Sequence, residues 1–81
     1  MIMTSNTVTV NGKEILLNYM TDVSETVTRI VGNGFIAASW IELENNEYIV
    51  KLPEMTTDNI INVVSHGPFA TIEEAVSLAL A

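Results

Sequence analysis

Asn11-Gly12, set between the runs Thr7-Val8-Thr9-Val10 and Lys13-Glu14-Ile15-Leu16-Leu17, constrains this chain more than any other feature. Asn followed by Gly accommodates positive φ at both central positions of a type I′ turn, whose twist matches that of paired strands. Such a turn fixes the register by itself: Val10 faces Lys13, Thr9 faces Glu14 and Val8 faces Ile15. Because side chains alternate along a strand, one face collects Val8, Val10, Ile15, Leu17 and Tyr19. The other collects Thr7, Thr9, Glu14 and Asn18, with Leu16 as its apolar exception. A lone hairpin is marginal in water, so the rest of the chain has to supply further strands and a cover for the apolar face.

A second hairpin is predicted from Phe35 to Leu43 and from Glu47 to Leu52, around Asn45-Asn46. Leu43 then faces Tyr48, Ile41 faces Val50 and Ser39 faces Leu52 on an apolar face. Trp40 with Lys51, Glu42 with Ile49, and Glu44 with Glu47 occupy the opposite face. Pro53 cannot donate to a ladder, so pairing is expected to end there, with a loop over 54–59. Ile60 to Val64 reads as a short strand closed by His66-Gly67-Pro68.

Residues 22–32 admit two readings. Asp22-x-x-Glu25 could be a capping box opening a short helix that stops at Gly32 or Gly34. Thr26-Val27-Thr28-Arg29-Ile30-Val31 is almost wholly β-branched, which favours a strand, and about nine residues make a marginal helix. The strand is preferred, with Gly32-Asn33-Gly34 as a hairpin loop into Phe35. Thr71 and Glu74 form a capping box for a C-terminal helix whose Ile72, Ala75, Val76, Ala79 and Leu80 share one face. The expected fold is α+β: an antiparallel, hairpin-rich meander of about five strands with one C-terminal helix packed on a face.

Eighty-one residues, 48 % of them hydrophobic and 16 % charged, suit one small domain over 1–81 with a core of its own. Lys13, Arg29 and Lys51 are the only cations against ten acidic residues, a formal charge of −7. Gripping nucleic acid or an anionic bilayer takes clustered Lys and Arg. Neither is therefore expected as a direct ligand, whereas a protein with a basic or neutral surface is. Without cysteine there is no disulfide, thiolate nucleophile or Cys-based zinc site. Met1 to Asn6 lacks the basic and apolar regions of a secretion signal. The longest apolar run, Phe35 to Ile41, is interrupted by Ser39 and falls far short of the ~20 residues that span a bilayer. A soluble, cytoplasmic protein is expected.

No constellation in the chain spells out a reaction. Ser65 and His66, the one histidine, are strand neighbours and point to opposite faces, so they form no triad. Gly32-Asn33-Gly34 has neither a P-loop nor a dinucleotide pattern, and Asp58 lacks EF-hand spacing. No catalytic residue, cofactor or metal ligand is assigned. Glu42 and Glu44 share a strand face at about 6.6–6.8 Å, a separation that glycosidases use. A convex, wet hairpin tip nevertheless gives both carboxylates the same surroundings and sets neither apart as the acid. Mimicry of duplex DNA is weak too. DNA carries a charge every ~1.7 Å of axis, so ~25 Å would need about fifteen on one side, while the ten carboxylates spread from Glu14 to Glu74. Trp40 is the strongest interface candidate. Exposed beside Glu42 and Lys51, it would be an anchor with a charged rim; covered by the C-terminal helix, it would belong to a second small core. The candidate protein-binding residues are Trp40, Glu42, Glu44, Glu47 and Lys51.

The segment Val63-Val64-Ser65-His66-Gly67-Pro68-Phe69-Ala70-Thr71-Ile72-Glu73-Glu74-Ala75 resembles a junction of the form strand–Gly–x–Phe–x–Thr–x–Glu–Glu–Ala–helix. Such a junction closes SPOR peptidoglycan-binding repeats and is similar to that of APETALA-type DNA-binding domains, though the strands before it here lack the Arg and Lys of the latter. In size, acidity and want of catalytic motifs the chain also resembles small phage-borne inhibitors, anti-CRISPR and anti-restriction proteins among them. The function expected from sequence is a non-catalytic, acidic protein-binding module, an inhibitor or accessory protein of a phage or mobile element. Two other classes stay open: a structural subunit that forms homo-oligomers through sheet edges, and a small hydrolase.

Overall fold

The first hairpin forms as its turn dictates. In the computed structural model, which describes residues 1–24 and 26–81, β1 (Ile2–Val10) pairs with β2 (Lys13–Thr21) in the expected register. Asn11 and Gly12 both take positive φ, 52° and 78°. The ladder runs further from the turn than the alternation of apolar residues does, carrying Met3 to Asn6 along although they are exposed. There Ser5 Oγ donates to Asn18 Oδ1 across the strands at 2.8 Å.

β3 (Thr28–Gly32) pairs antiparallel with β2, so the β-branched run is a strand from Thr28 onward, with Thr26 and Val27 outside it, and the helical alternative is not adopted there. The capping box belonging to that alternative includes Glu25, which lies outside the described residues. The strand expected to start at Phe35 starts only at Trp40: β4 is Trp40–Glu44, and 33–39 is a loop. The C-terminal end of the chain claims this loop instead. Phe35 bridges to Leu80, Ile36 N donates to Ala79 O at 2.8 Å, and Ala81 N donates to Gly34 O at 2.9 Å. Ser39 N closes a turn on Ile36 O at 3.0 Å, with Ala38 at a φ of 64°. Gly32 leaves room where the loop follows β3: a Cβ there would lie 2.7 Å from Phe35 Cε1 and 2.8 Å from Leu17 Cδ2, so both side chains would have to shift.

β4 turns through Asn45-Asn46, at φ 53° and 62°, into β5 (Glu47–Met55), again in the expected register. β5 does not stop at Pro53. It continues beside β6 (Ile61–Phe69), with Pro53 opposite Val63 and Met55 opposite Ile61. The missing N–H is tolerated because the β4 ladder ends at Trp40–Lys51, so beyond Lys51 β5 has a neighbour on one side only. β6 likewise runs through His66-Gly67-Pro68 and absorbs a register shift opposite Tyr48–Val50. The sheet has six strands in sequential order, β1-β2-β3-β4-β5-β6, every pair antiparallel. It is a meander of six strands rather than about five.

The helix α1 (Ile72–Ala79) opens on the expected cap: Glu74 N donates to Thr71 Oγ1 at 3.3 Å, and Thr71 Oγ1 donates to Glu74 Oε1 at 3.0 Å. Glu73 and Glu74 in the first turn complement the helix dipole. Ala75, Val76 and Ala79 are fully buried together with Ile30, Ile41 and Val50, which lie opposite one another across β3, β4 and β5. Val10, Ile15 and Leu17 extend this core toward the first hairpin. The helix touches β1 as well as β4, β5 and β6. On a flat sheet β1 and β6 would be about 24 Å apart at about 4.8 Å per spacing, and an eight-residue helix is about 12 Å long. The sheet therefore curls around the helix.

Deleting the centre of this core should be expensive. Ile41→Ala is expected to lower the unfolding free energy by about 2–5 kcal/mol, measured by urea denaturation, and an effect within error would mean the row does not bear on stability. Tyr19, opposite Ile30, supplies a pH dependence. Burial pushes its phenol above the ordinary value of 10.0, with Tyr48 and Glu73 adding to the rise. A raised folded-state value means that its contribution is intact below about pH 10 and is lost as pH climbs through the folded value. Tyr19→Phe should accordingly flatten part of the alkaline fall in stability seen by thermal melts between those pH values.

Candidate protein-binding face

The register that builds the core also assembles the opposite face. Ile41 and Val50 point to α1, so Trp40, Glu42 and Glu44 of β4 and Glu47, Ile49 and Lys51 of β5 point away from it. Of the two readings of Trp40, the helix-covered one is not adopted. The indole is half-buried among its own sheet neighbours. Its Nε1 donates to Glu42 Oε2 at 2.8 Å, and the Arg29 guanidinium carbon lies 4.8 Å from the ring centroid. A cation over an indole contributes about 0.5–1 kcal/mol at an exposed site. Trp40 is thus held by a hydrogen bond at its edge and a cation on its ring, which limits its rotamers before any partner arrives.

The five candidate residues share this face without forming one cluster. Trp40 and Glu42 are in direct contact. Lys51 is the cross-strand neighbour of Trp40, yet its Nζ reaches the other way, to Ser65 Oγ on β6 at 2.6 Å. Glu44 and Glu47 sit at the hairpin tip, exposed and directly opposite each other. Thr26 Oγ1 donates to Glu44 Oε2 at 3.2 Å. Like charges in facing positions are destabilising relative to neutral pairs.

Arg29 completes the site and is absent from the sequence-derived set. A three-residue turn at 32–34 would have put Phe35 opposite Val31 and Ala37 opposite Arg29. The longer loop slides β4 along until Glu42 faces Arg29, which brings the guanidinium over Trp40. Beside this pair opens a groove of about 360 Å³ lined by Met1, Met20, Asp22, Val27, Arg29 and Glu42. Met1, Met20 and Val27 give it apolar surface, and Asp22, Arg29 and Glu42 give it both signs of charge. The one local hint was Arg29 itself, a lone cation in a β-branched run.

The other face holds the remaining chemistry. His66 is opposite Val50, with Nε2 3.9 Å from Glu54 Oε1 and no hydrogen-bond partner. Ser65 bonds Lys51 on the helix-free side, so the two neighbours point apart. Among the described residues, no three or more His, Cys, Asp or Glu gather where they could hold a metal ion, and no helix is long and apolar enough to cross a membrane.

The facing Glu44–Glu47 pair can be tested in isolation. Glu47→Lys should raise stability by roughly 0.2–1 kcal/mol in a denaturant titration at low salt, with the gain shrinking as salt is added. An unchanged midpoint would show that the tip carries no repulsion. Neither the protein-family models, nor the curated proteins, nor the solved structures compared with this chain provide a match.

Proposed function

We propose that this chain is a non-catalytic protein-binding module that presents its helix-free face, centred on Trp40, to a protein with a basic or neutral surface. The observation that carries the reading is the fixed indole: Trp40 is half-buried on a face that no helix among the described residues covers, held by Arg29 and Glu42. Aromatic side chains with restricted rotamers lose little entropy on docking, and Trp and Arg are the residues that most often carry interface energy. The acidic tip supports the same reading. Glu44 and Glu47 are exposed and face each other across the strands, and a cationic side chain placed between them would neutralise part of a chain charge of −7.

The groove beside Arg29 gives this face relief as well as charge. Small size, acidity and the separation of Ser65 from His66 agree with an inhibitor or accessory protein of a phage or mobile element better than with a hydrolase. The partner would be met in the compartment that houses such proteins, the cytoplasm.

Affinity capture from host lysate, read by mass spectrometry at low and raised salt, tests the proposal. A partner held by the wild-type chain should be lost with Trp40→Ala and weakened about tenfold or more with Glu42, Glu44 and Glu47 changed together to Gln. Thermal melts would establish that both variants remain folded. Capture that survives both sets of substitutions would sink the proposed face.

A further inference from the structure

β1 is an outer strand of the sheet, and its free side is laid out for a second strand. The two-residue turn at Asn11-Gly12 makes Val10–Lys13 the hydrogen-bonded pair next to the loop. Pairing then alternates, so Val8, Asn6, Thr4 and Ile2 direct their N–H and C=O groups to β2. Thr9, Thr7, Ser5 and Met3 direct theirs away from the sheet. All four are exposed. The strand carries no charged residue and no proline, the usual means of guarding an edge. The opposite edge, β6, differs: it has a register shift, and Pro68 there has no N–H to offer.

We propose that β1 is a homodimerisation edge, and that two copies pair β1 with β1 antiparallel about a two-fold axis at Asn6, joining two six-stranded sheets into one. The occupant follows from the strand's own register. Antiparallel pairing about Asn6 sets Met3 against Thr9 and Ser5 against Thr7 of the second copy. Each of these is a pair of outward-directed residues, so every free N–H and C=O from Met3 to Thr9 finds its complement. A slip of one residue sets outward-directed groups against groups already bonded to β2, and a slip of two leaves an end residue unpaired.

The side chains are self-complementary in the same register. On the helix side Ile2 meets Val10, Thr4 meets Val8, and the two Asn6 amides meet on the axis. On the other side Met3 meets Thr9 and Ser5 meets Thr7. Charge favours a second copy too. Two chains at −7 repel overall, and β1 itself carries no carboxylate, the nearest being Glu14 opposite Thr9 on β2, so copies approach there at less cost than through the Glu44–Glu47 tip. The interface is three strands away from β4, so it does not depend on the function proposed for Trp40, and of the groove residues only Met1 adjoins it. Because the contact is isologous, it closes as a dimer.

Sedimentation equilibrium of the wild-type chain at rising concentration, together with single-cysteine variants of this cysteine-free sequence, tests the proposal. A dimer is expected. Asn6→Cys, at a non-hydrogen-bonded pair on the axis, should cross-link under mild oxidation well beyond Thr4→Cys, whose counterpart is Val8. Ser5→Pro removes an N–H that β2 does not use, so the fold should persist by circular dichroism while dimer affinity falls about tenfold or more. A monomer at every concentration would overturn the proposal, as would a ladder of higher oligomers or equal cross-linking at positions 4 and 6. These readouts do not involve Trp40, so failure here and failure of the proposed binding face are separate results.

Discussion

The structure depends on one transverse row: Ile30, Ile41 and Val50, opposite one another on three consecutive strands and covered by Ala75, Val76 and Ala79. Three branched side chains fill the sheet side. Two alanines on the helix let its backbone come close enough to seal them. Because strand side chains alternate, a slip of one residue in any of these ladders would turn a core residue outward. The same slip would turn Trp40, Arg29 or Glu42 inward. The apolar side of the sheet thus specifies the polar side, and the arrangement around Trp40 is a by-product of how the core is registered.

What could be read from the sequence was what local chemistry decides. Asn11-Gly12 and Asn45-Asn46 set their hairpins through backbone preferences of the turn residues alone, and every cross-strand pair next to those turns follows. Thr71 and Glu74 fixed the helix start in the same local way. The departures have non-local causes. Phe35 and Ile36 have the composition of a strand, but Leu80 and Ala79 compete for their backbone groups, and no window around residue 35 contains that information. Pro53 and Gly67-Pro68 look like terminators until one knows where β4 ends and where β6 shifts register. Arg29 was missed for the same reason, since its contact with Trp40 exists only at the loop length that α1 imposes.

The acidic charge now divides by cause. Glu73 and Glu74 answer the helix dipole and the cap. Glu42 is engaged by the indole of Trp40. Glu44 accepts from Thr26 Oγ1, and Glu47 faces it across the tip of the hairpin that carries Trp40. Charge is thereby concentrated toward the middle of the sheet and withdrawn from β1. A chain of one sign can in this way keep a sticky edge and a charged face apart.

A meander closed by its last element also has a consequence for how the protein is made. Each strand pairs with the one before it, so the sheet can grow in the order of synthesis, through contacts that are short in sequence. The element that seals the row comes last and touches β1, the first strand. Until residues 72–79 dock on it, the sheet has its apolar side bare, a state open to association with other chains.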